Sequence, residues 1–141
     1  MKVSMAMRSP AVTCLPSTTV RHVCKLMQEH RIGCVVVVAP DGSITGIVTD
    51  RDLALRALGQ GQSADIPVER VMTRNVARVF VGADLDDVEA TMSDRHVRRL
   101  PVVDSRGNVH GVISLDDVVR SISHRAGDVS DLLVSHAKVG S

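Results

Sequence analysis

A chain of 141 residues with 44% hydrophobic content holds enough apolar material for an ordinary globular core, whereas half of it would be marginal alone. Its 17 Lys and Arg against 16 Asp and Glu leave a formal net charge of +1, which gives no electrostatic footprint for nucleic acid or an acidic membrane surface. Trp and Tyr are absent and Phe80 is the single Phe, so the stacking platforms of single-strand nucleic-acid binders are excluded as well.

From the N-terminus, Met1 to Ser4 lacks a leader-like apolar stretch and no apolar run reaches the length of a membrane span, so a cytoplasmic protein is expected. Ala11 to Leu15 reads as a short strand, and Pro16-Ser17-Thr18-Thr19 as a break followed by a helix cap. Val20, Val23, Cys24 and Met27 then fall on one helical stripe. Cys34 to Ala39 is a continuous β-branched run, as a strand covered on both faces requires. Pro40-Asp41-Gly42-Ser43 turns it into a second strand, Ile44 to Thr49, and Asp50 to Leu58 closes the unit as a helix that stops near Gly59. Turn-forming and polar residues from Gly59 to Pro67 form a linker.

The plan then repeats: a strand at Arg78 to Val81, a helix at Asp84 to His96 with the stripe Leu85, Val88, Met92, strands at Leu100 to Asp104 and Val109 to Ser114, and a helix at Leu115 to Arg125. Without a gap, Met7 to Leu55 can be laid on Met72 to Arg120. The pairs Met7/Met72, Val23/Val88, Met27/Met92, Gly42/Gly107, Gly46/Gly111 and Asp52/Asp117 are identical. The chain is therefore read as α/β, with two β-α-β-β-α repeats sharing one core: residues 1–65 with the linker, 66–125, and a tail at 126–141 in which Val129, Leu132 and Leu133 have the spacing of one amphipathic turn.

Cys14, Cys24 and Cys34 are confined to the first copy and face Val79, Glu89 and Arg99 in the second, which argues for mostly buried thiols over a disulfide framework or a zinc site. The six His are scattered, and no metal is expected. Adjacent acids such as Asp86/Asp87 and Asp116/Asp117 diverge around a helix, and no nucleophile elbow, phosphate loop or zinc motif is present, so no catalytic residues and no enzyme activity are expected.

The chemistry-bearing stretches are Gly46-Ile47-Val48-Thr49-Asp50-Arg51-Asp52 and Gly111-Val112-Ile113-Ser114-Leu115-Asp116-Asp117. A hydroxyl at the mouth of a helix suits an anionic oxygen, and a carboxylate one turn further in can accept both hydrogens of a ribose diol. The same spacing is also a helix capping box with no ligand at all. Recurrence after a glycine in both copies favours a nucleotide without excluding the cap.

These stretches, the Val-x-x-Val-Met run at Val68 to Met72 with its weaker form at Val3 to Met7, and the hairpin glycines together resemble a tandem pair of CBS domains, the regulatory module named after cystathionine β-synthase. The resemblance spans about Val3 to Ile122. It implies two repeats packed about a pseudo-twofold axis, two clefts for adenosine-containing ligands (AMP, ADP, ATP, NAD or S-adenosylmethionine), no obligatory cofactor, a homodimer, and an effector protein that receives the signal. It further implies that Thr49 and Asp52 line one cleft with Val97, Arg98 and Arg99 of the opposite repeat, and that Ser114 and Asp117 line the other with Ile32, Gly33 and Cys34. Arg51, Arg98 and Arg99 are the expected phosphate contacts. Val36 stands where the second copy has Pro101 and where the family often has proline. A structural dimerisation or adaptor module that binds no nucleotide is the competing expectation.

Overall fold

The computed structural model describes residues 1–126, so the turn expected at Val129, Leu132 and Leu133 lies outside the described residues. In the first half, β1 (Thr13–Cys14) runs parallel to β2 (Cys34–Val38) after α1 (Val20–His30), and β2 pairs antiparallel with β3 (Ile44–Thr49). The second half repeats this with β4 (Val79–Phe80), α3 (Leu85–Arg95), β5 (Arg99–Val103) and β6 (Val109–Ser114), each half forming its own three-stranded sheet. Helix α4 (Leu115–Ala126) closes the second half.

The local chemistry of the two copies coincides. Gly42 and Gly107 turn the two hairpins at φ 88 and 83, a left-handed conformation that favours glycine. Arg31 and His96, one residue past α1 and α3, both take the left-handed cap conformation. Val20, Val23 and Met27 are buried, as are Leu85, Val88 and Met92. Cys24 falls off the expected stripe: it is exposed, and so is Glu89 in the equivalent place. Cys14 and Cys34 are buried.

The helix after β3 departs from expectation. It opens as the short α2 (Asp50–Asp52), widens into a π turn over Leu53–Ala57, tightens into a 3-10 turn over Leu58–Gln60, and ends at Gly61 with φ 68. Gly59 is passed without a stop. The wide turn keeps Leu53 and Ala57 buried while Leu55 and Leu58 remain exposed.

The halves are joined by exchange. Val3 is fully buried in the core of the second half, with Leu85, Leu100 and Ile113, whereas Val68, Val71 and Met72 complete the core of the first. Segments adjoining the repeats cross over in pairs. Lys2 bridges to Asp84 and Pro67 to Thr19; Arg8 bridges to Val112 and Thr73 to Ile47. In the repeat alignment each contact is the image of the other, and such reciprocity is the signature of a twofold relation. The halves therefore pack about a pseudo-twofold axis. Glycine is required where the arms pass. A Cβ at Gly46 would lie 2.5 Å from Met72 Sδ, and one at Gly111 would lie 2.5 Å from the Arg8 carbonyl oxygen and 2.9 Å from Met7 Sδ.

Candidate functional site

Each β-hairpin ends on a hydroxyl residue that starts the closing helix. Thr49 Oγ1 accepts from the Asp52 backbone N–H at 3.2 Å while Asp52 Oδ2 accepts from the Thr49 N–H at 3.0 Å. Ser114 and Asp117 form the same reciprocal pair, at 3.1 and 2.9 Å. Both motifs are thus complete capping boxes, and the cap that the spacing allowed is present. It occupies one carboxylate oxygen of each Asp and leaves Oδ1 available to other partners.

The exchange of arms turns these two corners toward the opposite half. A cleft of about 930 Å³ is lined by Thr49, Arg51 and Asp52 on one side and by Val97, Arg98 and Arg99 on the other, with Thr73 and Ile47 at the base of the crossing arm. A smaller cleft of about 240 Å³ is lined by Ser114 and Asp117 and by Ile32, Gly33 and Cys34 from the first half. Every residue expected at a cleft lines one, in the expected company. Arg98 is exposed and Arg99 half-buried, so both guanidiniums reach the solvent-filled space. Arg99 borders both clefts, and its Nη2 lies 2.9 Å from where a Gly33 Cβ would stand, so the glycine makes room for it.

Sequence reasoning missed several lining groups. Asp50 and His96 join the larger cleft, Ser114 and Asp116 border both, and Arg8, Arg31 and Arg120 line the smaller. Arg8 and Thr73 arrive with the exchanged arms, and the signal for them was the position after the repeated Met7 and Met72. Arg31 and His96 are the equivalent helix caps, placed by backbone geometry rather than by any motif. Burial pushes the Cys34 thiol up to about 12, so it faces the smaller cleft as a neutral, weakly polar wall. Val36 is fully buried in β2, like Pro101 in β5, and neither lines a cleft.

The electrostatics of the two corners differ. Asp52 Oδ1 has one long ion pair, 3.7 Å to Arg56 Nε. Asp117 Oδ1 accepts from Arg120 Nη2 at 2.9 Å and faces Arg8 Nε at 3.8 Å. Among the described residues, no group of three or more His, Cys, Asp or Glu could hold a metal ion, and no helix is long and apolar enough to cross a membrane.

With this geometry in view, comparisons with known proteins agree. The CBS domain family model matches residues 3–59 and again 68–124. A CBS domain-containing protein of Bacillus subtilis, YhcV, is 31% identical over 138 residues, spanning 97% of each chain. The CBS domain pair of protein MJ0100, solved in complex with 5'-methylthioadenosine and S-adenosyl-L-methionine, superposes with a TM-score of 0.81 at 27% identity, covering 89% of this chain and 98% of that one. The CBS domain protein PAE2072 of Pyrobaculum aerophilum, complexed with AMP, gives 0.77 at 25% identity, covering 83% and 89%. Two matched copies, one on each side of a pseudo-twofold axis, establish that the chain belongs to the CBS domain family.

Proposed function

We propose that the chain is a regulatory module that binds an adenosine-containing ligand between its halves and signals by shifting their packing or their assembly. The observation that carries this reading is the larger cleft, which sets the Asp52 carboxylate and the Thr49 hydroxyl of one half opposite Arg98 and Arg99 of the other, with Asp50 and Asp116 also on its wall. Asp52 accepts the ribose hydroxyls through Oδ1, Thr49 and the adjoining backbone meet the phosphate side, Arg51, Arg98 and Arg99 pair with phosphate, and Val97 walls the base. A base held by aliphatic and backbone groups suits a chain with no Trp or Tyr. That related pairs carry AMP or S-adenosyl-L-methionine and 5'-methylthioadenosine supports the ligand class.

A ligand that bridges the halves shifts their equilibrium only by its differential affinity for the two arrangements. Transmission to an effector protein fits a homodimer built on the exposed Leu55 and Leu58 beside the cap. Calorimetric titration with AMP, ATP, NAD and S-adenosylmethionine tests the reading. Binding of at least one, weakened about a hundredfold or more by Asp52→Ala, is expected from loss of charge-assisted hydrogen bonds. Absence of heat and of any melting shift with all four defeats it.

The completed capping boxes favour a second reading, a structural dimerisation or adaptor module. A chain without Trp or Tyr absorbs weakly near 280 nm, so co-purified nucleotide would dominate its ultraviolet spectrum. An absorbance peak near 260 nm released on denaturation separates the readings.

A further inference from the structure

We infer that the two clefts are functionally unequal: the Thr49/Asp52 cleft takes the nucleoside, while the Ser114/Asp117 cleft is held shut by the chain's own Arg120 and Arg8. The inference rests on the nucleotide reading above and specifies which corner serves it. Both oxygens of Asp117 are committed, one to the Ser114 N–H at 2.9 Å and the other to Arg120 at 2.9 Å with Arg8 at 3.8 Å. Its side chain is 8% exposed, against 15% for Asp52, whose outer oxygen has only the long contact to Arg56. Ligand pockets typically run from about 300 to 1,000 Å³. The Asp52 cleft, at about 930 Å³, falls inside that range, and the Asp117 cleft, at about 240 Å³, falls below it.

The repeat itself supplies the control. Leu55 occupies the place of Arg120, and Thr73 that of Arg8, so neither position supplies a guanidinium in the first half; the nearby Arg56 donates instead to the Val71 carbonyl oxygen and Thr73 Oγ1. A ribose entering the Asp117 corner competes with Arg120 and Arg8 for Oδ1, which lowers affinity there roughly ten- to a hundredfold relative to the Asp52 corner. Arg8 rides on the exchanged N-terminal arm, its backbone paired with Val112, and so brings a second cation to 3.8 Å from Asp117 Oδ1.

Calorimetry of the full chain with AMP tests this. The expected stoichiometry is one AMP per chain, abolished by Asp52→Ala, with folding of each variant checked by thermal melting. In the paired variant Arg8→Thr, Arg120→Leu, which installs the residues of the other half, the stoichiometry rises to two. Adding Asp52→Ala to that pair leaves one site. Two sites of similar affinity in the unaltered chain, or AMP binding that survives Asp52→Ala in it, overturn the inference while leaving the nucleotide reading intact. No binding by any of these proteins, nor of the other three ligands by the unaltered chain, overturns the nucleotide reading and this inference with it.

Discussion

The two strand-to-helix corners share a backbone and differ in who answers their carboxylate. Capping distances at Thr49/Asp52 and Ser114/Asp117 agree within 0.1 Å, yet Asp52 presents its outer oxygen to an open cleft while Asp117 turns the same atom to Arg120. The duplication preserved geometry where the helix needs an N-terminal cap and let it diverge where a ligand would sit. A motif match therefore locates a corner, and its neighbours decide what the corner does.

Arg98 and Arg99 provide the most sensitive probe of that difference, since the first half has Gly33 and Cys34 in their places. Removing either guanidinium should weaken AMP by roughly ten- to a hundredfold and leave adenosine nearly unaffected, as paired titrations would show. An equal loss for both ligands would remove these residues from the phosphate role. The arm crossings come next. Gly111→Ala drives a methyl onto the Arg8 carbonyl and should cost about 1–3 kcal/mol in chemical denaturation. Gly46→Ala should cost less, because its nearest backbone neighbour, the Thr73 carbonyl oxygen, would lie at 2.9 Å and its 2.5 Å contact is with the movable Met72 Sδ. Equal costs would mean that the two crossings are equally rigid.

Thr49→Ala and Ser114→Ala should each lose about 0.5–2 kcal/mol, the ordinary worth of an N-cap. Equal losses are expected even though the clefts differ, and a much larger loss at one corner would show that it does more than cap. Ser123 is fully buried and its hydroxyl has no hydrogen-bond partner among the described residues, while its counterpart Leu58 is exposed. Ser123→Ala should therefore be neutral, or stabilising by up to about 1 kcal/mol, by thermal melting. The smallest effect concerns acid. Pairing with His110 at 2.8 Å draws the Asp104 carboxyl down to about 2, and Ala39 and Thr45 offer no such pair in the first half. A carboxylate whose folded pKa is depressed stabilises above its unfolded value and loses that contribution as pH falls through the folded one. The stability difference between the unaltered chain and Asp104→Asn should persist at neutral pH and vanish as acid melts approach about pH 2.

The repeat, the sheets, the hairpin turns and the two hydroxyl–Asp corners were readable in the sequence, because periodicity and turn chemistry are local and were stated twice, whereas the company each corner keeps with the opposite half came only through the resemblance to CBS domains. What escaped it was contact between distant segments. Nothing in Val3-Ser4-Met5-Ala6-Met7 says that it joins the second half, and residues that enter by that route, Arg8 and Thr73, escaped with it. Glycine is the common helix terminator, which points to Gly59 as the stop after β3, whereas the π turn at Leu53–Ala57 carries the chain on to Gly61. Spacing alone puts Cys24 on the buried stripe, but the buried face of α1 is Val20, Val23 and Met27, and Cys24 lies in solvent.

The crossed arms carry a consequence for how such a molecule arises. A lone ancestral copy, folded by itself, would bury no Val3 against its own sheet and would leave the seat beside its glycine empty. Two separate copies would supply each other, as the fused copies do here through Val3 and Val68. Joining the copies in one chain thus tethers two halves that complete each other's cores, and it lets equivalent positions such as Leu55 and Arg120 hold different residues.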